Sequence, residues 1–287
     1  MNRTTIMRRN FCRIANLNLA RTRDRKSGSL ARLAMAAGVA ITFGQVGGAT
    51  RASAAVIDDF SSSNPQNYTQ FNTYSTGLTF GTNANGQFAP SYVNAGNSFG
   101  TEAFFYRNTG ELVGQAGGDT VSIQIDQITG SNATAGFGFG TSTTTTTDWF
   151  GAFIRRNGDT YRFGFDAERN QEIITGFDLS SPAVLSLTRQ IEDPTRFLVS
   201  ISGGGLSTPF TRTIQPVKQA VGGVRGTFTE ALFFGPSQYT GGIGAGSEGS
   251  VPSLQDNLSF TAVPEPSTAI AILGGAATLL GLRRRRA

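Results

Sequence analysis

Between Ala55 and Ala262 the hydrophobic positions recur in twos, in short β-branched and aromatic runs broken by Gly, Asn, Ser and Asp. The alternation predicts strands over Val121–Ile128, Ala135–Phe139, Phe150–Arg155, Thr160–Phe165, Glu172–Phe177, Val184–Thr188 and Arg196–Ile201. Tyr161, Phe163 and Phe165 fall on one face of their strand, Arg162 and Gly164 on the other. Arg156-Asn157-Gly158-Asp159 predicts the hairpin turn before it, because Asn-Gly tolerates the positive φ of a tight turn. Thr141–Thr147 reads as a solvent-exposed loop or edge, and Gly235–Ser250, rich in Gly and Ser, as a long flexible loop before the last strand. No stretch here carries a helical period, and there is no internal repeat of the kind solenoids and propellers need. Many short strands at this spacing predict an all-β fold, an antiparallel β-sandwich of the jelly-roll kind, in one domain over residues 55–262.

The two ends follow a different pattern. A basic stretch reaches Arg32, an eleven-residue apolar core runs from Leu33 to Phe43, and Ala52-Ser53-Ala54 then supplies small residues around a cut before Ala55. Basic, apolar and small-residue regions in that order describe an export signal over residues 1–54, with signal peptidase as partner. Its core is shorter than the roughly 20 residues of a membrane span. At the other end, Val263-Pro264-Glu265-Pro266 precedes fourteen residues, Ala269 to Leu282, that are almost wholly apolar, and Arg283, Arg284, Arg285 and Arg286 follow. The prolines keep the start of this tail extended. The arginines stop transfer at the cytoplasmic side of the inner membrane, which residues 269–282 enter transiently as a short hydrophobic helix.

Charge sharpens this division. The net charge of +5 suggests a nucleic-acid partner until it is mapped. Ten of the 24 basic residues lie before position 55 and four in the final arginine cluster, so residues 55–282 hold ten bases against 18 acids, a net of −8. The basic character belongs to the targeting ends, and no nucleic-acid partner is expected. The chain has no histidine, and its one cysteine, Cys12, lies in the export signal. A Ser-His-Asp triad, a His-ligated zinc and a disulfide framework are thereby excluded for the body.

The tail resembles the PEP-CTERM family of sorting signals, which pair a Pro-Glu-Pro motif with a short hydrophobic helix and an arginine-rich end. The resemblance covers residues 263–287. It implies recognition of Pro264, Glu265 and Pro266 by an exosortase-type membrane protease, followed by release to the cell surface or extracellular matrix. A second resemblance lies at the ends of the body. The opening Ile57-Asp58-Asp59-Phe60 and closing Leu254-Gln255-Asp256-Asn257-Leu258-Ser259-Phe260 are similar to the first and last strands of concanavalin A-like, laminin-G-like and carbohydrate-binding jelly rolls. In such folds the terminal strands pair. That would gather Asp58, Asp59, Asp256 and Asn257 as oxygen ligands for a structural Ca²⁺, the one cofactor expected.

Trp149, beside the Thr-rich run, offers an aromatic platform for a sugar ring. Paired catalytic carboxylates are harder to find, since Asp166, Glu168, Glu172, Glu192 and Asp193 form no strand-borne signature. The expected function is therefore a non-catalytic, carbohydrate-binding or structural surface module, not an enzyme, with polysaccharide as its partner. The alternative is a carboxylate-based, glycoside hydrolase-like, polysaccharide-active enzyme on the same fold.

Overall fold

A computed structural model describes residues 55–62, 65–72, 78–92, 101–108, 111–114, 117–130, 132–143, 148–165, 170–220, 223–240 and 251–263. All of them belong to one compact unit, residues 52–287. The strands in chain order are β1 (Ala55–Asp58), β2 (Tyr68–Asn72), β3 (Leu78–Thr79), β4 (Ser91–Tyr92), β5 (Thr101–Arg107), β6 (Thr120–Ile128), β7 (Thr134–Gly140), β8 (Trp149–Asn157) and β9 (Thr160–Phe165). They continue as β10 (Asn170–Ile173), β11 (Ala183–Arg189), β12 (Phe197–Gly203), β13 (Phe210–Ile214), β14 (Val217–Ala220), β15 (Gly223–Thr227), β16 (Phe233–Thr240) and β17 (Ser253–Thr261).

Two large antiparallel sheets stack as the expected sandwich. One has six strands in the order β1-β17-β6-β11-β12-β13, the other seven in the order β10-β9-β8-β7-β16-β5-β2. Alternation decides which residues meet between them. On β6, Val121, Ile123 and Ile125 are buried while Thr120, Ser122, Gln124 and Asp126 face outward. Phe197 of β12 packs on Phe139 of β7 and Phe150 of β8, with ring centroids 5.9 and 5.5 Å away, and Phe234 of β16 packs on Phe260 of β17 at 5.6 Å. Offset and tilted rings at these separations add to the burial of their area. Tyr161 and Phe163 lie in this core, on the face their spacing predicted.

Four of the expected strands sit inside observed ones with ends shifted by one or two residues, and Thr160–Phe165 is β9 itself. Three local expectations are corrected. Asn157 stays in β8 opposite Thr160, and the hairpin turn is Gly158-Asp159, with Gly158 at φ +62 in the first central position. A two-residue loop with positive φ only at that glycine matches the twist of the flanking strands. The strand expected over Glu172–Phe177 ends at Ile173, because Ile174 to Phe177 form a turn closed by the Phe177 N–H donating to the Ile174 carbonyl, with Gly176 at φ +79. Its apolar ends misled the pattern: Ile174 and Phe177 are buried, but as anchors of the turn. Finally, the first part of the expected Gly235–Ser250 loop is β16, a central strand between β7 and β5. Gly235 is there because the Phe105 carbonyl leaves no room for a Cβ, so the glycine marks close backbone approach and not flexibility. Residues 241–250 lie outside the described residues.

Candidate functional site

The terminal strands do pair: Ala55 lies opposite Phe260 and Val56 opposite Ser259. Pairing does not, however, assemble the expected calcium ligands. Asp58 turns into the gap between the sheets, where its carboxylate accepts from the Tyr68 hydroxyl at 2.8 Å, the Phe60 N–H at 2.8 Å and the Arg107 guanidinium at 3.1 Å. Asp59 accepts from the Ser61 N–H and hydroxyl in a local turn that holds its carboxyl below its ordinary range. Asp256 accepts from the Asn257 N–H, and the Asn257 amide donates to Gln124. Burial raises the Asp256 carboxyl above its usual range, the Asn257 N–H opposes the rise, and the charges of Asp126 and Asp59 add to it. With Asp58 committed to an arginine, the four oxygen donors do not fit a shared cation, which needs six to eight convergent oxygens. Among the described residues no group of three His, Cys, Asp or Glu is arranged to hold a metal.

Trp149 is placed on the outer face of the seven-stranded sheet, in a small cluster with Phe71, Phe104, Tyr106 and Phe233. Its ring lies 5.0 Å from that of Phe104 and it is 8% exposed, so it is not an open platform for a sugar. The rings in this cluster rest on glycines. A Cβ at Gly138 would run into the Phe104 ring, and the Tyr106 hydroxyl donates to the Phe139 carbonyl across the position of Gly140.

A different set of residues forms a cleft. Phe163 and Phe165 of β9, Gln171 and Glu172 of β10 and Arg212 of β13 line a cavity of about 320 Å³. It opens where both sheets end, β10 being the last strand of one and β13 the last of the other. Glu172 lies opposite Phe163, and Arg212 opposite the buried Val199, so both belong to the rows that face between the layers. Beyond the edge of the core these two positions reach each other: an Arg212 guanidinium nitrogen is 3.0 Å from a Glu172 carboxylate oxygen, with the side chains 54% and 45% exposed. Behind them Phe163 and Phe165 stand near-parallel, their centroids 6.0 Å apart, and Phe210 closes the wall 6.0 Å from Phe163. Phe163 is itself buried, so Phe165 is the ring that meets solvent. With the Glu172 carboxylate, the Arg212 guanidinium and the Gln171 amide at its rim, it can take a small polyhydroxyl group, C–H face against Phe165 and hydroxyls toward the rim.

Sequence reading noticed Glu172 only as a stray acid. The period-two run Phe210-Thr211-Arg212-Thr213-Ile214 was the missed signal, because an arginine between two inward-facing apolar residues must sit at a sheet edge. The remaining site expectations, Ala52, Ala54, Pro264, Glu265, Pro266 and Arg283 to Arg286, lie outside the described residues, while Ala55 is the first residue of β1. Among the described residues no helix is long and apolar enough to cross a membrane, and the expected span 269–282 is not among them.

No protein-family model matches the chain, and no curated protein matches it. Its arrangement is similar to solved concanavalin A-like structures. The β-glucanase of Bacillus licheniformis is 16% identical, with 71% of this chain and 96% of that one aligned at a TM-score of 0.41. A legume lectin-like domain from Entamoeba histolytica is 12% identical, over 73% of this chain and 100% of that one, at 0.41. An endo-β-galactosidase from Clostridium perfringens that releases GlcNAcα1-4Gal is 10% identical, over 74% and 63%, at 0.42. These likenesses concern strand arrangement, and no residue role is taken from them. They do correct the expectation that this is not an enzyme: glycoside hydrolases stand beside lectins among the similar structures. The physical reason is that glycoside hydrolysis runs on carboxylates, so a chain without histidine is not thereby excluded.

Proposed function

We propose that this chain is an exported envelope protein whose β-sandwich engages polysaccharide in the edge cleft. The observation that carries the reading is the cleft itself, where the partly exposed ring of Phe165, backed by the buried Phe163, stands behind the polar rim of Gln171, Glu172 and Arg212. The order of basic, apolar and small-residue regions before Ala55 supports export, and Pro264-Glu265-Pro266 with its apolar run and arginines supports sorting by an exosortase-type protease. In this reading the body is outside the cell, and the inner membrane holds residues 269–282 only until the tail is removed. Glu172, the carboxylate among the described residues of the cleft, is the residue a hydrolytic reading would place at the bond to be cut, a chemistry that also requires a partner carboxylate.

The experiment is expression of the full chain in an exosortase-bearing host, followed by intact mass of the extracellular product and its assay on polysaccharides. The expected product begins at Ala55, ends near Pro264-Glu265-Pro266 and is retained by at least one polysaccharide. Release of reducing ends that disappears in Glu172→Gln supports hydrolysis. A membrane-held species that keeps Arg283 to Arg286 overturns the sorting step, and a processed product that neither binds nor cleaves any glycan overturns the polysaccharide reading.

A further inference from the structure

We infer that the Glu172–Arg212 pair makes the edge cleft selective for neutral sugars bearing a free vicinal diol, and against uronic acids. The inference rests on the polysaccharide reading and adds the ligand class. Three observations carry it. The first is that Glu172 and Arg212, the charged groups among the described residues of the cleft, neutralise each other across the two sheets at 3.0 Å, so the pair brings no net charge to attract an anion. The second is their chemistry. The carboxylate only accepts and the guanidinium only donates, whereas each hydroxyl of a diol both donates and accepts. Two adjacent hydroxyls can therefore insert between Glu172 and Arg212, satisfy both, and leave the sugar's C–H face on Phe165. A uronate carries a diol too, but its carboxylate either takes Arg212 by displacing Glu172, and then lies beside a second negative charge, or stays unpaired while the diol binds, and then brings an anion against an acidic domain.

The third observation is exposure. At 54% and 45% exposed the pair is solvated and screened by water, so a ligand opens it at little cost. The wider field points the same way, because residues 55–282 carry ten basic against 18 acidic residues and repel polyanions at long range.

The test uses the processed product of the full chain and isothermal titration with two probes: a mixture of neutral hexasaccharides (gluco-, manno- and galacto-series) and a galacturonic acid hexasaccharide. Wild type is expected to bind the neutral mixture at least tenfold more tightly than the uronate. Glu172→Gln releases Arg212 and is expected to gain at least tenfold for the uronate, while Arg212→Met loses at least tenfold for the neutral sugars and gains nothing for the uronate. Both variants should melt within about 2 °C of wild type, since the pair is exposed. Equal or tighter uronate binding by wild type, or an unchanged preference in Glu172→Gln, overturns the selectivity and leaves the polysaccharide reading standing. Absence of binding to both probes and to every polysaccharide overturns both.

Discussion

Arg189 is the residue whose loss should cost this fold most. It closes β11, is fully buried, and its guanidinium donates to the carbonyls of Pro194, Gly114, Glu230 and Phe228 at 2.5 to 3.2 Å, with Val113 at 3.4 Å. It also lies over the Phe197 ring, 5.5 Å from the centroid. One side chain thus donates to carbonyls from the 113–114 segment, the 193–196 turn and the 228–230 segment, and of these Val113 also accepts from the Leu232 N–H. Burial pulls its pKa below the ordinary arginine value and the charges of Glu230 and Asp119 pull it back up, so the group stays a cation. Hydrogen bonds from a charged donor are worth roughly 1.5–3 kcal/mol each, or about 6–12 kcal/mol gross for the four short ones. Returning the cation to water recovers several kcal/mol, so Arg189→Ala should lose about 3–5 kcal/mol net. Arg189→Lys keeps the charge but has three donors in place of five, and should lose about 1–3 kcal/mol. The assay is urea unfolding followed through Trp149, the only tryptophan, whose 8% exposure makes its emission report the fold. The midpoint should fall with the slope unchanged. An Arg189→Ala protein within about 1 kcal/mol of wild type would refute the reasoning, because the loss of four charged hydrogen bonds, one to the buried Phe228 carbonyl and three to part-buried carbonyls, should cost more.

Acid sensitivity and packing give two further tests. Burial works to raise the Glu230 carboxyl, but the Lys218 ammonium 2.6 Å away and the backbone N–H groups of Thr229 and Glu230 outweigh it and hold the group at about 2, against 4.5 ordinarily. A carboxyl depressed in the folded state contributes stability above pH 4.5 and loses it as pH falls toward 2, so the stability gap between wild type and Lys218→Met should close over that range; a gap independent of pH sinks the assignment. Gly138→Ala drives a methyl into the Phe104 ring and should cost about 1–3 kcal/mol. Most of that cost should vanish when the substitution is made in a Phe104→Ala background, and strictly additive losses would show that the two positions do not touch.

What could be read from the sequence followed from where each constraint is local. Strands β6, β9, β11 and β12 announce themselves because each buries mainly one face. β7 and β8, buried on both, still alternate because the glycines on their outer face leave Ala135, Phe137 and Phe139 and Phe150, Ala152 and Ile154 as the inward row. β16 does not, because Gly235 serves a close contact with the Phe105 backbone and is followed by Pro236, and glycine and proline read as breaks when the neighbour is unknown. The pairing of β1 with β17 was legible through a resemblance, but the fate of Asp58 was not. Whether an acid at a strand end faces water, a cation or an arginine depends on Arg107, which lies 49 residues away. The cleft was illegible for the same reason. Phe165, Glu172 and Arg212 come from three strands and two sheets, and only the strand order makes β10 and β13 neighbours at one edge.

That strand order also explains why the cleft proposed as the ligand site lies at this edge and not at the opposite one. A two-sheet sandwich has two open sides, and here each is spanned by an ion pair between the layers. At the β1–β2 side the pair is Asp58 with Arg107, whose side chains are 16% and 7% exposed, backed by the Tyr68 hydroxyl and by stacked or tilted rings of Phe60, Tyr68, Phe80 and Phe88. Opening that side would strand a buried charge, at about 3–5 kcal/mol. At the β10–β13 side the pair is Glu172 with Arg212, roughly half exposed and worth about 0–1 kcal/mol. The aromatic wall behind it is the same kind of core, reached at a fraction of the cost. One side is sealed by buried charge and the other is latched by solvated charge, so the proposed sugar would displace the latch where it could not break the seal.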